Sequence, residues 1–272
     1  MATVPPPAYA TITASLLEHG TVLSVVLNQP KANVLSMAMM TDLRDVLTAY
    51  RDQPKLKLVL VRGAGKDFSF GASVPEHLKE NAPKMLSEFH GLIRYVASYP
   101  VPIAALVLGR CLGGAFELAL ACHLVFAAPS AVFACPEIKL GVVPPVLAVL
   151  GAHRLGAPTA ERMVMTGAEL GAAEAHARGL LVELLPKEND GLDTVALPFV
   201  LEWYRKTLAP LSAFSLREAT HAARHGTGIL ACLAEPLIAA ERRYVERLLP
   251  SHDGNEGIEA FLAKRPAVWV DA

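Results

Sequence analysis

Two glutamates in apolar surroundings are the residues of this sequence whose type and spacing suit chemistry. Glu117 lies within the segment 113–120, where every neighbour is small or apolar. A glutamate inside a buried helix is costly unless it is paired or kept protonated. Glu137 follows Cys135-Pro136, and we expect the proline to end a strand and place Glu137 on a turn. Twenty residues separate the two glutamates, enough for a helix, a strand and a return strand, so we expect both to reach one pocket.

Two carboxyl groups in an apolar pocket titrate as a coupled pair, in which one proton is held more tightly than the other. Such a pair can hold a water molecule, with one group withdrawing a proton while the other delivers a proton to carbon. The alternative is that both glutamates are surface residues that only look buried in the pattern.

Two pairs of small residues can supply backbone hydrogen-bond donors to the same pocket. Gly113-Gly114 at the expected start of a helix leaves backbone N–H groups free, with no side chain in the way. Gly71-Ala72 can supply a second donor. Two such donors would hold a carbonyl oxygen as it gains negative charge, at roughly 3 kcal/mol per donor in the transition state. The alternative is that the glycines only allow a helix and a strand to pack closely.

Composition excludes several classes of protein. The chain has 272 residues, of which 53% are hydrophobic and 19% charged, so it can bury a sizeable core and is not disordered. Its net charge of -1 argues against a general nucleic-acid binder. The most apolar stretch, 115–134, carries Glu117, His123 and Pro129, and therefore suits a core better than a membrane. We expect a cytoplasmic protein with four reduced cysteines, Cys111, Cys122, Cys135 and Cys232.

Motifs for cofactors and metals are missing. No Gly-x-Gly-x-x-Gly follows an expected strand, and there is neither a phosphate-binding loop nor a nucleophile elbow. His221 and His225 are four residues apart but lack an evident third ligand, so we interpret them as a solvated helix face. The sequence therefore predicts no metal and no cofactor.

Strands alternate with helices over the first two thirds of the chain, which predicts an α/β core with parallel strands. The last third is almost wholly helical. We expect a flexible tail over 1–10, a core over 11–193 and a helical region over 194–272. The expected strands are 11–12, 21–27, 56–61, 102–108, 124–127, 132–134 and 181–185. The expected helices before the last third are 37–50, 82–98, 114–122, 146–153, 158–166 and 172–178.

Several motifs in a fixed order together resemble the crotonase, or enoyl-CoA hydratase/isomerase, superfamily. They are the segments 28–35, 68–73, 104–124, 136–141 and 165–167, and the resemblance extends from about residue 12 to residue 269. It implies a crotonase-like spiral of ββα turns with a helical C-terminal trimerisation region. It also implies an acyl-CoA thioester substrate and a homotrimer or homohexamer, with coenzyme A as part of the substrate rather than a cofactor.

The resemblance also implies roles for individual residues. Glu117 and Glu137 match the two catalytic acid/base glutamates, and Ala72 and Gly114 match the two amide donors of the oxyanion hole. The substrate-binding residues that it implies are Lys31, Ala32, Val34, Phe70, Ser73, Val74, Phe261 and Lys264. The first three border coenzyme A, and the last two belong to a C-terminal segment that can reach a neighbouring subunit's coenzyme A.

Having both glutamates favours the addition of water to an α,β-unsaturated acyl-CoA, and leaves open which one is the acid. Ser73 stands where the family often has aspartate, and the segment 142–147 replaces a glycine-rich segment that borders the acyl pocket. These departures resemble the branch of the family that hydrates cyclohexa-1,5-diene-1-carbonyl-CoA. The alternatives are a general enoyl-CoA hydratase of fatty-acid β-oxidation, an isomerase, and a non-catalytic acyl-CoA binder or RNA-binding relative.

Overall fold

The computed structural model describes residues 8–186 and 192–272, in which strands alternate with helices as expected. The strands are β1 (Ile12–Leu17), β2 (Val22–Leu27), β3 (Leu58–Gly63), β4 (Ile103–Val107), β5 (Arg110–Leu112), β6 (Leu124–Ala127), β7 (Val132–Ala134), β8 (Leu170–Gly171) and β9 (Glu183–Leu184). The helices are α1 (Met37–Tyr50), α2 (Ala82–Ala97), α3 (Gly114–Ala121), α4 (Pro145–Leu155), α5 (Ala157–Thr166), α6 (Ala172–Ala177), α7 (Leu197–Thr207), α8 (Ala213–Gly226), α9 (Ile229–Cys232), α10 (Glu235–Arg243) and α11 (Asp253–Leu262). Most of the expected tail, residues 1–7, and part of the expected boundary near 190–194 lie outside the described residues.

Successive turns of the chain build two sheets side by side. The large sheet has the order β1-β2-β3-β4-β6-β9 and is parallel except for the antiparallel β1–β2 pair. The small sheet has the order β5-β7-β8, and two isolated parallel bridges, Leu35 with Ala72 and Ser69 with Cys111, continue its pairing into earlier turns. Each turn thus gives one strand to the large sheet, a short extended segment beside the small sheet, and a helix. The spiral of ββα turns and the helical C-terminal region are confirmed.

Strand bounds differ from the expectation where pairing, and not residue type, decides them. β1 continues to Leu17, beyond the expected end at Ile12, because its whole length pairs with β2. β5 and β8 were not expected at all. They have three and two residues, and they exist because each lies in register with β7. The expected strand at 181–185 is only two residues long, β9.

Both faces of the large sheet are covered. Val59 and Val61 of β3 belong to the core on the side of α1 and α2, whereas Leu58 and Leu60 pack in a second core with Tyr204 of α7. A strand buried on both faces has a continuous apolar sequence, which is why β3 was recognisable. The sheet is therefore a rigid platform whose strand ends can position loops accurately.

None of the helices within the described ranges is long and apolar enough to cross a membrane.

Candidate active site

The first part of the site is the loop that ends at Ala72. The hydroxyl of Ser69, which is fully buried, donates to the carbonyl of Asn33 at 2.6 Å and accepts from the amide of Gly71 at 3.1 Å. Gly71 has φ +91°, and a Cβ there would lie 2.6 Å from the carbonyl oxygen of Leu112. Only glycine fits this close approach, so the loop holds Ala72 against the strand that precedes α3.

Asn33 fixes the same loop from its other side. Its buried side-chain amide donates to the carbonyls of Ala64 at 2.9 Å and Phe68 at 3.2 Å. Its φ of +48° lies in the left-handed region that asparagine tolerates better than most residues. The amide of Leu35 then donates to the carbonyl of Gly71 at 2.9 Å. These bonds tie the segment around residues 33–35 to the loop, and leave the Ala72 amide unused.

The second part of the site is the start of α3. Gly113 has φ +53° and donates its amide to the carbonyl of Ala134 at 2.7 Å. Gly114 begins the helix, where an amide has no acceptor within the helix. A Cβ on Gly114 would lie 3.5 Å from the amide nitrogen of Ala72. Within the described residues neither the Ala72 amide nor the Gly114 amide donates a hydrogen bond, so two free donors lie side by side.

Glu117 lies one turn into α3 and is 3% exposed. Its Oε1 accepts hydrogen bonds from the amides of Val146 at 2.7 Å and Leu147 at 2.9 Å. These are first-turn amides of α4, which lack acceptors in their own helix. Burial raises the pKa of Glu117 to about 7, against the opposing effect of the two amides. The carboxyl group is therefore ready to exchange a proton near neutral pH.

Glu137 is half-buried in the 3₁₀ turn Pro136–Leu140, on the turn that the sequence predicted. A Cβ on Gly113 would lie 2.7 Å from its Oε1, while its Oε2 is buried without a hydrogen-bond partner. Burial, and then the charge of Glu117, raise the pKa of Glu137 to about 8. Because the charge of Glu117 acts on Glu137, the two carboxyl groups titrate as an interacting pair.

A cavity of about 420 Å³ opens in front of Glu137 and Gly113. Its walls are mainly apolar, from Phe70, Val74, Leu112, Leu140, Val142 and Ile258. Val142 belongs to the segment 142–147, for which the family resemblance implies a position beside the acyl pocket. A mostly apolar pocket with a few converging polar groups is the usual form of a site for a small organic substrate.

The structure brings several of the predicted site residues to this cavity. Ala72, Glu137, Phe70, Val74 and Phe261 all line it. Phe261, on α11, lines the cavity of its own chain, whereas the resemblance implies a contact with a neighbouring subunit's coenzyme A. The predicted residues Gly114 and Glu117 do not line the cavity: Gly114 lies beside Ala72, and Glu117 is bonded to the start of α4.

Five predicted substrate-binding residues lie outside the cavity wall. Ala32 is adjacent to it, because its carbonyl accepts from the amide of Phe70 at 3.0 Å. Lys31 and Lys264 are exposed, Val34 is half-buried beside Ala32, and Ser73 lies between two lining residues.

Two residues that the sequence did not indicate also stand at the site. His77 lines the cavity, and its Nδ1 lies 2.9 Å from the carbonyl of Ser73; burial lowers the pKa of this histidine. Tyr244 is buried, its hydroxyl has no hydrogen-bond partner, and burial followed by the charges of Glu137 and Glu117 raises its pKa. No sequence pattern indicates either residue: His77 belongs to no motif, and Tyr244 comes more than a hundred positions after the glutamates.

His221 and His225 stack with ring centroids 4.3 Å apart, and no set of three or more His, Cys, Asp or Glu side chains within residues 8–186 and 192–272 is arranged to hold a metal ion.

Comparison with known proteins identifies the family. Residues 18–272 match the family model described as Enoyl-CoA hydratase/isomerase. The chain belongs to the enoyl-CoA hydratase/isomerase family, and it is an enzyme of the enoyl-CoA hydratase type, a hydro-lyase.

Individual relatives cover nearly the whole chain. A cyclohexa-1,5-dienecarbonyl-CoA hydratase from Thauera aromatica is 40% identical over 254 residues, covering 93% of this chain and 95% of the relative. A carnitinyl-CoA dehydratase from Shigella flexneri is 32% identical, covering 93% and 97%. The crystal structure of an enoyl-CoA hydratase from Mycobacterium avium subsp. paratuberculosis K-10 superposes with a TM-score of 0.81 at 28% identity, covering 97% of this chain and all of that one.

Proposed function

We propose that this enzyme adds water to cyclohexa-1,5-diene-1-carbonyl-CoA, with Glu117 and Glu137 as acid/base groups and the amides of Ala72 and Gly114 as the oxyanion hole. The observation that carries the proposal is a cavity lined by Ala72 and by Glu137, a carboxyl group of raised pKa. The unpaired amide of Gly114 lies beside Ala72, and the charge of Glu117 acts on Glu137. The cyclic substrate is supported by the 40% identity to the Thauera aromatica protein of that name.

In the first step the thioester oxygen accepts hydrogen bonds from the amides of Ala72 and Gly114, which draws electrons away from the β-carbon. Glu117 takes a proton from a water molecule, and the water oxygen forms a bond to that carbon. Glu117 suits the role of base because two α4 amides stabilise its ionised form. The electron pair moves onto the thioester oxygen, giving a dienolate that the two amides hold.

In the second step Glu137 delivers a proton to the far end of the diene. Glu137 suits the role of acid because burial and the neighbouring charge of Glu117 favour its protonated form. The two reacting carbons lie on opposite sides of the six-membered ring, so a base and an acid on different elements suit this addition. The net change is one H and one OH from a single water molecule, after which proton exchange between the carboxyl groups restores the starting state.

The walls of the cavity also suit an unsubstituted ring. Phe70, Val142 and Ile258 present apolar surface, so the ring would bind by burial while polar contacts concentrate at the thioester end. The proposed reaction uses only side-chain carboxyl groups and backbone amides. It needs no cofactor, because coenzyme A is part of the substrate.

Turnover of cyclic and linear substrates by the purified enzyme tests this proposal. We expect cyclohexa-1,5-diene-1-carbonyl-CoA to be hydrated at least about tenfold faster, in kcat/KM, than crotonyl-CoA. In water enriched with heavy oxygen, the label should enter the ring hydroxyl. Fast turnover of crotonyl-CoA with none of the diene would refute the cyclic substrate.

The second candidate is a general enoyl-CoA hydratase, which the 28% identity and close superposition with the Mycobacterium avium enzyme favour. An isomerase, in which one carboxyl group moves a proton and no water is added, is the third. Label from water in the product excludes the isomerase, and the substrate panel separates the two hydratases.

We also propose that the chain forms a homotrimer or homohexamer in the cytoplasm. Support comes from large apolar side chains exposed in the helical region, Leu211, Phe214 and Ile238, of which Phe214 is 74% exposed. The four cysteines are free, which suits a reducing compartment. Light scattering after gel filtration measures the mass directly, and a monomer would refute the assembly.

A further inference from the structure

A second cavity lies at the opposite end of the two helices that carry the catalytic machinery. It has a volume of about 520 Å³ and shares no lining residue with the cavity at Glu137. Arg154 of α4, Arg224 of α8 and His123, which follows α3, all line it. The activity proposed above makes no use of these residues.

Arg224 is buried and Arg154 half-buried, and both use only part of their hydrogen-bonding capacity. Arg224 is 5% exposed and donates from Nη2 to the carbonyl of Ala121 at 2.9 Å. Arg154 donates from Nη2 to the carbonyl of Cys122 at 3.4 Å, while its Nε is buried without a partner. These bonds cap the C-terminal end of α3, where positive charge is favourable. A guanidinium group has five N–H donors, however, so capping leaves donors over in both residues.

His123 adds a donor of defined direction. Its Nδ1 accepts a hydrogen bond from the amide of Ile103 at 3.0 Å, so in the neutral ring the proton is on Nε2. Burial lowers the pKa of His123 well below its ordinary value, which keeps the ring neutral. The Nε2 atom is buried without a partner. His123 therefore presents an unused N–H donor at the same cavity as the two arginines.

Within the described residues no carboxylate forms an ion pair with Arg154 or Arg224, so the charge of this cluster has no direct acidic partner there. Burial, and then the charge of Arg154, lower the pKa of Arg224 to about 10, and burial lowers that of Arg154. The positive charges of Arg154 and Arg224 repel each other, and the N–H of His123 lies at the same cavity. A ligand that only accepts hydrogen bonds and carries negative charge would relieve this repulsion and use the free donors.

We propose that this cavity binds an oxyanion, specifically an organic carboxylate with a compact apolar body, held by Arg154, Arg224 and His123. A carboxylate offers only acceptors, and an arginine fork matches its two oxygens. The remaining wall includes Trp203, Leu208 and Leu216, which are apolar and suit the body of the ligand better than inorganic phosphate. The carboxylate comes either from a free small molecule or from an acidic side chain of a second copy of this chain.

Trp203 provides a direct readout of binding. The chain has two tryptophans, and Trp269 lies far along the sequence in the C-terminal segment, so Trp269→Phe leaves Trp203 as the only indole. Fluorescence of this variant is titrated with benzoate at constant ionic strength. Benzamide, which has the same shape without the charge, is the matched control, and inorganic phosphate tests the need for an apolar body.

For a free ligand we expect saturable binding of benzoate and at least about tenfold weaker binding of benzamide. Arg154→Gln and Arg224→Gln should each weaken benzoate binding by about tenfold or more, because each removes a charged hydrogen-bond donor. Arg154→Lys, which keeps the charge, should lose less than Arg154→Gln. Equal binding of benzoate and benzamide, or benzoate binding that is unchanged in both glutamine variants, overturns the proposal.

If the carboxylate belongs to a second copy of the chain, the cavity is already filled and benzoate does not bind. Arg154→Gln should then lower the mass measured by light scattering, while Arg154→Lys keeps the wild-type mass. If benzoate does not bind and the mass of Arg154→Gln also equals that of the wild type, the proposal is wrong. Hydration activity of the wild type, measured alongside, tests the proposed function separately, because the second cavity touches none of its groups.

Discussion

At the residue scale, the protein keeps two carboxyl groups in surroundings that disfavour their charge. Glu117 is stabilised by α4 amides, whereas Glu137 has a buried oxygen with no partner. The unpartnered oxygen of Glu137 is therefore available to a bound substrate or water molecule. The predictions at this scale concern the protonation of these two interacting groups.

Replacing either glutamate by glutamine should remove acid/base function without changing shape. We expect Glu117→Gln and Glu137→Gln each to lower kcat by at least ~10²-fold, which is typical for loss of a general acid or base. Affinity for coenzyme A should change little, since neither group contacts the nucleotide in the proposed mechanism. Steady-state kinetics and coenzyme A titration measure the two effects. Full activity of both variants on every enoyl-CoA tried would contradict the mechanism.

The pH dependence of kcat/KM should follow the protonation of the two glutamates. Activity requires Glu117 ionised and Glu137 protonated, so the rate should rise through an apparent pKa near 7 and fall through one near 8. Residual activity of Glu117→Gln should lack the acidic limb, and that of Glu137→Gln the basic limb. A flat profile between pH 6 and 9 would show that the pair does not titrate there.

The same burial should cost stability at alkaline pH. A carboxyl group whose folded-state pKa is raised binds its proton more tightly when folded, so stability falls as pH rises from the ordinary value of 4.5 to the folded value of about 8 for Glu137. Glu137→Gln cannot ionise and should escape this loss. We expect its melting temperature to match the wild type near pH 4.5 and to exceed it by at least about 2 °C at pH 8.5. A difference that does not grow with pH would contradict the raised pKa.

At the element scale, the proposed oxyanion hole depends on a loop whose side chains take no part in the proposed reaction. Ser69→Ala removes one oxygen that joins Asn33 to Gly71, and leaves a buried amide and carbonyl unpaired. We expect a loss of about 1–3 kcal/mol in stability, and a fall in kcat of about tenfold as the Ala72 amide shifts, with KM changing less. Ser98→Ala, on the exposed end of α2, is the control. An unchanged kcat would show that the hydroxyl does not position the amide.

Sequence patterns predicted those elements whose bounds depend on local residue type. The predicted bounds of α1, β6 and β7 agree with the structure. The side chain of Ser36 caps the start of α1, and turn residues and prolines mark where other elements end. β5 and β8 exist only through pairing with β7, which no local pattern reveals. The same limit applies to sites: the glutamates and glycines stand out by their neighbours, whereas Tyr244 and the Arg154–Arg224 pair meet the rest only through the fold.

At the scale of the whole molecule, the C-terminal segment fastens α11 over the cavity. Glu256 accepts two hydrogen bonds from Arg265, at 2.6 and 2.7 Å, and one from the amide of Val268 at 2.7 Å. The Arg265 bond is the main reason that the pKa of Glu256 is lowered to about 2. Trp269 packs against Gly257, where a Cβ would lie 2.7 Å from the indole ring.

Loosening this attachment should weaken substrate binding more than it slows chemistry. We expect Glu256→Gln to raise KM for the acyl-CoA by about three- to tenfold with a smaller change in kcat. The reason is that Ile258 and Phe261 of α11 line the cavity but take no part in the proposed proton transfers. Glu259→Gln, an exposed neighbour on the same helix, should behave as the wild type. Equal effects of the two variants would show that the attachment does not shape the cavity.

The contribution of Phe261 to the cavity has a consequence for the order in which the enzyme matures. Phe70 and Val74 leave the ribosome long before Ile258 and Phe261, so the nascent polypeptide exposes an open apolar groove until α11 is released. A complete cavity and protection of its apolar surface should therefore arise together, once α11 has been released. A ribosome-stalled product that ends before α11 should bind chaperones and lack hydratase activity, even though Glu117, Glu137, Ala72 and Gly114 have all been synthesised.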